Sequence, residues 1–287
     1  MTQYPLTKAP QRQFSLVEFE HRMARAQAMM RKLNLDGVLL TTETNVRYFS
    51  GYFTQFWQSP TRPWFLILPA VGKPIAVIPT IGVVGMSNTW VDDVRAWPSP
   101  FPKDDGVSLL SQTLAELPKR FGRLGMTLGR ETHLRMPQQQ VQSLYASSHF
   151  ELVDVSHKIL HLRSIKSTAE INRVAHICNV TSKAFSQLPS FAKVGMTERD
   201  VVAEFRMELL RQGADHSPFI VSSSGADGYD DIIMGPTDRV VEEGDLLIID
   251  TGTVWQGYFC DFDRNWCFGD CSQETKAAYA NVYAATD

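Results

Sequence analysis

The order of elements predicts an α/β domain followed by an α+β domain, and three observations carry this. Between residues 38 and 155 short apolar strands alternate with amphipathic helices. From 167 two helices then follow one another, each opened by a hydroxyl residue with an acid three positions on. After them come an apolar strand from 219, the β-branched run Leu246-Leu247-Ile248-Ile249 and an aromatic run over 258–268.

Residues 1 to about 13 are polar, contain Pro5 and Pro10, and read as a surface arm. Ser15 and Glu18 have capping-box spacing, and Leu16, Phe19, Met23, Ala26, Met30 and Leu33 recur at threes and fours, giving an amphipathic helix that ends near Asn34. Asp36-Gly37 turns the chain into a buried strand over 38–40, after which 41–51 reads as a loop with one helical turn. Runs 65–69 and 75–78 form a hairpin around Gly72-Lys73-Pro74. A helix over 107–121, a strand over 126–129, a helix over 137–146 and a strand over 151–155 complete the layers. Phe53, Phe56, Trp57, Arg62 and Trp64 crowd one proline-containing loop, best read as a hydrophobic plug. The segment 159–170 is the hinge, dividing the chain into domains 1–160 and 161–287.

With 44% apolar and 21% charged residues the chain is ordinary globular material, and a net charge of −3 excludes a basic nucleic-acid footprint. No apolar run spans a bilayer and the start lacks a secretory pattern, which predicts a cytoplasmic protein. Cys178, Cys260, Cys267 and Cys271 are then expected as reduced thiols, with no structural zinc among them.

The chemistry concentrates in Asp250-Thr-Gly-Thr-Val-Trp-Gln-Gly-Tyr-Phe-Cys-Asp261-Phe-Asp263-Arg264. The two runs flanking it form a hairpin. A two-residue loop centred on Trp255 and Gln256 sets Asp250 directly opposite Asp261; a three-residue loop containing Gly257 shifts the register by one and needs a compensating bulge. A shared face is expected either way, with Asp263 on the same side two residues beyond Asp261. Like charges so placed need a proton or a cation between them, and carboxylate oxygens suit manganese, cobalt, iron or zinc.

Asp-Thr-Gly, then Gly257-Tyr258, Asp261 eleven positions after Asp250, and Arg264 resemble the first metal-binding strand pair of the pita-bread metallohydrolases, the family of methionine aminopeptidase, aminopeptidase P, prolidase and creatinase. The phrases Leu-Asp-Gly-Val-Leu-Leu-Thr and Asn-Val-Arg-Tyr-Phe-Ser-Gly-Tyr, and the entry Leu-Arg-Ser-Ile-Lys-Ser, are similar to the creatinase, aminopeptidase P and prolidase branch. The resemblance implies a creatinase-like mixed α/β domain followed by the first part of a pita-bread catalytic domain. It further implies two divalent ions, with Asp250 a terminal ligand of one and Asp261 a bridge between both. The implied activity is metal-dependent C–N bond hydrolysis of the Xaa-Pro aminopeptidase or dipeptidase kind by a cytoplasmic homodimer. In such a dimer the loop holding Trp57 and Arg62 would reach over the partner's site, where Arg62 would grip a substrate carboxylate.

Two departures qualify the resemblance. Peptide-cleaving relatives usually carry a His three residues before the proline that is Pro236 here, and this chain has Ile233; an aliphatic side chain cannot donate to a peptide carbonyl. His216, Tyr229, Asp230 and Asp231 are the polar candidates that remain nearby. The family also needs a His and two Glu downstream, whereas all seven His precede Asp250 and Glu274 is the one Glu after Asp261. The chain is therefore expected to be a fragment that is inactive alone. A small non-peptide substrate, such as a creatine- or ectoine-like amide, and a metal-free partner-binding module stand as the alternative readings.

Overall fold

The computed structural model describes residues 8–59, 62–130, 132–226, 228, 229, 231 and 233–286. The chain divides into two compact units, one running from Gln13 to Lys166 and the other taking in Ser167–Asp287 with the residues leading up to Arg12.

The first unit contains strands β1 (Gly37–Leu40), β2 (Phe65–Pro69), β3 (Ile75–Pro79), β4 (Asp93–Trp97), β5 (Arg123–Met126) and β6 (Glu151–Asp154). Its helices are α1 (Leu16–Leu33), α2 (Glu43–Ser50), α3 (Val83–Ser87), α4 (Val107–Ala115), α5 (Gln138–Ser147) and α6 (Ser156–Ser164). The strands form one mixed sheet in the order β4-β3-β2-β1-β5-β6. Strand alternation splits the core in two. Val38, Leu40, Leu66, Leu68, Ala76 and Ile78 pack with Met23, Ala26 and Met30 of α1, Phe49 of α2 and Ile159 of α6. Leu39, Phe65, Ile67 and Val77 point the other way, onto Leu110 and Leu114 of α4 and Leu144 of α5. Both sheet faces are covered, which is why these strands are apolar throughout.

Helix α1 begins at Ser15, whose side chain accepts from the Glu18 N–H, and ends on Asn34 in the left-handed region, as its sequence predicts. Three boundaries differ from expectation. The helix predicted over 107–121 stops at Ala115, and the next strand begins at Arg123. The buried carboxylate of Asp36 gathers the backbone N–H groups of Arg120, Phe121, Gly122 and Arg123, holding that stretch in a turn. The single helical turn expected before Gly51 is the eight-residue α2, closed by Gly51 at φ 79°. Strand β4 and helix α6 were not legible as elements.

The second unit packs α7 (Thr168–Phe191) and α8 (Glu198–Arg211) against one face of an antiparallel sheet of β7 (His216–Gly225), β8 (Leu246–Trp255) and β9 (Tyr258–Cys267). Ser167 with Glu170 and Thr197 with Asp200 both close reciprocal capping boxes. The core joins Ile177, Phe185 and Leu188 of α7 and Val201, Phe205 and Leu209 of α8 to Leu247, Ile249, Trp255 and Cys260 of the sheet. Helix α9 (Gln273–Thr286) follows and buries no residue. Among the described residues no helix is long and apolar enough to cross a membrane.

The expectation of four reduced thiols is corrected at one pair. Cys267 ends β9, a turn through Gly269 at φ 75° brings the chain back, and Cys267 and Cys271 are joined by a disulfide with their Cα atoms 6.1 Å apart. That separation lies in the range the bond requires. Cys178 and Cys260 are free.

Candidate functional site

The β8–β9 hairpin turns on Gln256 and Gly257, at φ 52° and 78°, and pairs Trp255 with Tyr258. A two-residue loop of this hand needs left-handed backbone at both central positions, which Gly257 supplies without a Cβ clash. Gln256 accepts the less favourable conformation while its N–H donates to Asp215 Oδ2 at 2.6 Å. The turn is thus one residue later than the centre expected at Trp255 and Gln256, and the register changes with it. Asp250 stands directly opposite Asp263, and Asp261 stands opposite Gly252. Because pairing partners share a face, Asp250 and Asp261 lie diagonally on one side of the sheet with Asp263, and no bulge is needed. That side is the one turned away from α7 and α8, since Leu247 and Ile249 of β8 and Cys260, Phe262 and Trp266 of β9 take the helix side.

Asp250 is half-buried, whereas Asp261 and Asp263 are exposed. Partial burial, followed by the charges of Asp261 and Asp263, holds the Asp250 carboxyl above its ordinary range. Among the described residues none of the three carboxylates accepts a hydrogen bond or enters an ion pair. The acids nearby are treated differently. Buried Glu198 accepts from Ser224 Oγ at 2.6 Å and from the N–H and Oγ1 of Thr237 at 2.9 and 2.7 Å. Buried Asp245 is paired with Arg239 at 2.5 and 2.9 Å. Three uncompensated carboxylates on one face offer hard oxygen donors of the kind a divalent cation takes. They do not form a closed site: among the described residues no group of three or more His, Cys, Asp or Glu could hold a metal ion by itself.

Gly252 has a role the sequence did not disclose. A Cβ there would lie 2.3 Å from Phe259 and 2.5 Å from Phe219, whose rings lean over the strand with centroids 6.3 Å apart. The two rings form an apolar wall at the turn end of the carboxylate face. At the other end Tyr229 donates its hydroxyl to Asn265 Oδ1 at 2.6 Å, and partial burial with the charge of Asp263 raises its pKa. Strand alternation from Asp261 finds Phe259 and Asn265; Phe219 carried no such signal.

The other candidates are placed as follows. Ile233 is 83% exposed, with its N–H and that of Met234 donating to Asp231 Oδ1, so Asp231 serves the loop's own backbone. His216 is exposed and pairs with Val254, four positions along β8 from Asp250, or roughly 13 Å at strand rise. Asp230 lies outside the described residues. Trp57 and Arg62 belong to the first unit. Trp57 is buried in its core beside Trp64, in the plug arrangement. Arg62 donates through Nε to Ser99 Oγ at 3.0 Å and stacks over Phe56. Arg135 ties that loop together by donating to the carbonyls of Phe56, Trp57, Ser59 and Arg62.

Comparison with known proteins covers nearly the whole chain. Residues 22–165 match the model of the creatinase/prolidase N-terminal domain, and residues 172–287 match that of metallopeptidase family M24. The uncharacterized peptidase YqhT of Bacillus subtilis is 27% identical over 92% of this chain and 70% of its own length. The probable dipeptidase PepE of Mycobacterium tuberculosis is 24% identical over 96% of this chain and 70% of its own length. Among solved structures, the recombinant prolidase from Thermococcus sibiricus superposes with a TM-score of 0.80 at 23% identity, over 95% of this chain and 71% of that one.

Proposed function

The chain belongs to metallopeptidase family M24, with an amino-terminal domain of the creatinase/prolidase type, and from that premise we propose that it is a metal-dependent hydrolase of C–N bonds whose β8–β9 hairpin supplies metal ligands. The observation that carries the reading is the uncompensated set of Asp250, Asp261 and Asp263 on one face of a sheet in a unit that partners its buried acids Glu198 and Asp245. Asp250 would be a ligand of one divalent ion and Asp261 would bridge two. When bound, such ions act as Lewis acids and bring the pKa of water toward neutrality.

The remaining work falls to the chain's own side chains. Phe219 and Phe259 offer an apolar wall at the turn end of the face, against which an apolar group of the substrate would rest. Asn265, oriented by Tyr229, presents an amide at the far end for a polar substrate group. The Ile233 side chain has no hydrogen to give a carbonyl oxygen, which leaves a small non-peptide amide as open as a dipeptide. The homologous peptidases and dipeptidases support small peptides as the substrate class.

Titrating the metal-free protein with manganese, cobalt and zinc, followed by native mass spectrometry, tests the ligand assignment. Weak binding is expected in the wild type and none in Asp261→Asn. Unchanged binding in that variant overturns the assignment. Hydrolysis of Xaa-Pro dipeptides against longer Xaa-Pro peptides and small cyclic or guanidino amides then decides the substrate.

A further inference from the structure

We propose that Cys267 and Cys271 form a thiol–disulfide exchange site, at which a small thiol of the glutathione kind opens the bond between them and releases α9 from the end of β9. This goes beyond the hydrolase reading and does not depend on it.

The bond joins two stretches that the fold holds very differently. Cys267 is the last residue of β9 and pairs with Leu246. Phe268 after it is buried, donates its N–H to the Asp245 carbonyl at 2.9 Å and accepts from the Gly244 N–H at 2.6 Å. Gly269 at φ 75° then turns the chain, with the Glu243 carboxylate in the space a Cβ would need. Up to this turn the chain is fixed without help from the sulfurs. Beyond it, among the described residues, every hydrogen bond and ion pair of residues 270–286 stays within that segment, as those of Lys276 with Asp270 at 2.5 Å and of the Thr275 N–H with Ser272 Oγ at 3.1 Å do. Helix α9 buries no residue, and at 14 residues it has the length at which a helix without packing is marginal in water. The Cys267–Cys271 bond, with the Cα atoms 6.1 Å apart, is the covalent tie between a held strand and an unheld helix.

Its place in the chain suits exchange better than bracing. The sequence separation is 4, and since the constraint a disulfide puts on the unfolded chain grows with loop length, this one adds little to the stability of the unit. Both cysteines are half-buried, which gives an attacking thiolate access. Cys271 stands two residues before α9, whose first N–H groups favour negative charge, so its sulfur is the better leaving group. The step balances. A small thiolate attacks Cys267 Sγ, the S–S bond breaks, and Cys271 leaves as a thiolate that takes up the proton the small thiol lost. A second small thiolate attacks the small-molecule sulfur of this mixed disulfide, and Cys267 leaves and is protonated in the same way. One protein disulfide and two small thiols become two protein thiols and one small disulfide.

The test equilibrates the folded full chain in glutathione buffers from oxidised to reduced, blocks free thiols with N-ethylmaleimide and maps tryptic peptides by mass spectrometry. Both cysteines fall in the one peptide 265–276, bounded by Arg264 and Lys276. The expected result is loss of the bond in excess reduced glutathione without denaturant and its return in oxidised glutathione. Hydrogen exchange on the same samples should show that opening the bond strips protection from the α9 amides and leaves those of α7 and α8 unchanged. Cys271→Ser should accumulate glutathione on Cys267, and the double variant Cys267→Ser/Cys271→Ser should show the exchange pattern of the reduced wild type. A bond that opens only in denaturant, α9 protection indifferent to the bond, thiols that stay unbonded in oxidised glutathione, or pairing with Cys178 or Cys260 each overturns the proposal. Should Cys271→Ser fail to fold, the wild-type peptide map and exchange pattern decide alone.

Discussion

Asp250 faces Asp263 directly across the β8–β9 ladder, and Asp261 lies one same-face position nearer the turn. Directly opposed like charges cost a sheet about 0.2–1 kcal/mol. The Asp250 carboxyl sits above its ordinary range, so in the metal-free protein the penalty grows as pH rises from the unfolded pKa and is complete above the folded one. Asp263→Asn should therefore raise stability in EDTA at pH 7 by about 0.2–1 kcal/mol, with the gain vanishing near roughly pH 3, where both states are protonated. Urea midpoints at the two pH values measure this. The same variant should keep its manganese binding while Asp261→Asn loses it, which separates a neighbour from a ligand. A loss of stability in Asp263→Asn would mean that its carboxylate has a partner in the fold.

Gly252 is required by the two rings above it rather than by backbone conformation. Gly252→Ala would press a methyl group against Phe219 and Phe259 at 2.5 and 2.3 Å, and overpacking of this kind costs about 1–3 kcal/mol. Because Phe259 is 45% exposed its ring can swing outward, which places the expected loss at the lower end, about 1–2 kcal/mol. Adding Phe259→Ala should recover part of it. Thermal unfolding of the single and double variants gives the coupling, and purely additive losses would show that the ring is not the obstacle.

The layers of the first unit were legible because apolar alternation and capping are local: Ser15, Asn34 and Gly51 mark their helix ends in the sequence itself. The strand starting at Arg123 was misplaced because a carboxylate 87 positions earlier, Asp36, fixes the preceding turn, and no local pattern reports a partner at that distance. At the site, three acids on one face were foreseen from period-two alternation. Their register was not, since moving the loop from Trp255-Gln256 to Gln256-Gly257 exchanges Asp261 for Asp263 opposite Asp250. Gly257 held that information: a left-handed glycine belongs inside a two-residue loop. The Cys267–Cys271 bond was missed because compartment was inferred from the chain start, while the turn at Gly269 is a matter of backbone geometry.

Gln256 is the strained half of that turn. At φ 52° a side chain with a Cβ is disfavoured; glycine removes the clash, and asparagine tolerates the conformation better than glutamine. Gln256→Gly keeps the backbone donation to Asp215 and loses only the longer side-chain bond of 3.3 Å. A net gain of about 0.5–1 kcal/mol is expected, allowing for the greater freedom of glycine in the unfolded chain. Chemical denaturation measures it, and a loss of similar size would show that the Gln256 side chain holds Asp215 in place.

Asp245 should govern acid stability in the second unit. It is 1% exposed, and Arg239 beside it holds its carboxyl below the ordinary range against the opposing effect of burial. A depressed folded pKa contributes stability that is present above the unfolded pKa and is lost as pH falls through the folded value. Removing one partner of a buried pair costs about 3–5 kcal/mol. Arg239 is 36% exposed and can return to water, so about 2–3 kcal/mol is expected for Asp245→Asn at pH 7. The difference from wild type should shrink steadily below pH 4, where the wild-type carboxylate begins to take up its proton in the unfolded chain. Arg239→Met tests the same pair from the other side and should cost more, because among the described residues it leaves the enclosed carboxylate with only the Glu242 N–H at 2.8 Å. A loss in Asp245→Asn that stays constant from pH 7 down to roughly pH 2 would assign the effect to packing at this position instead of to charge.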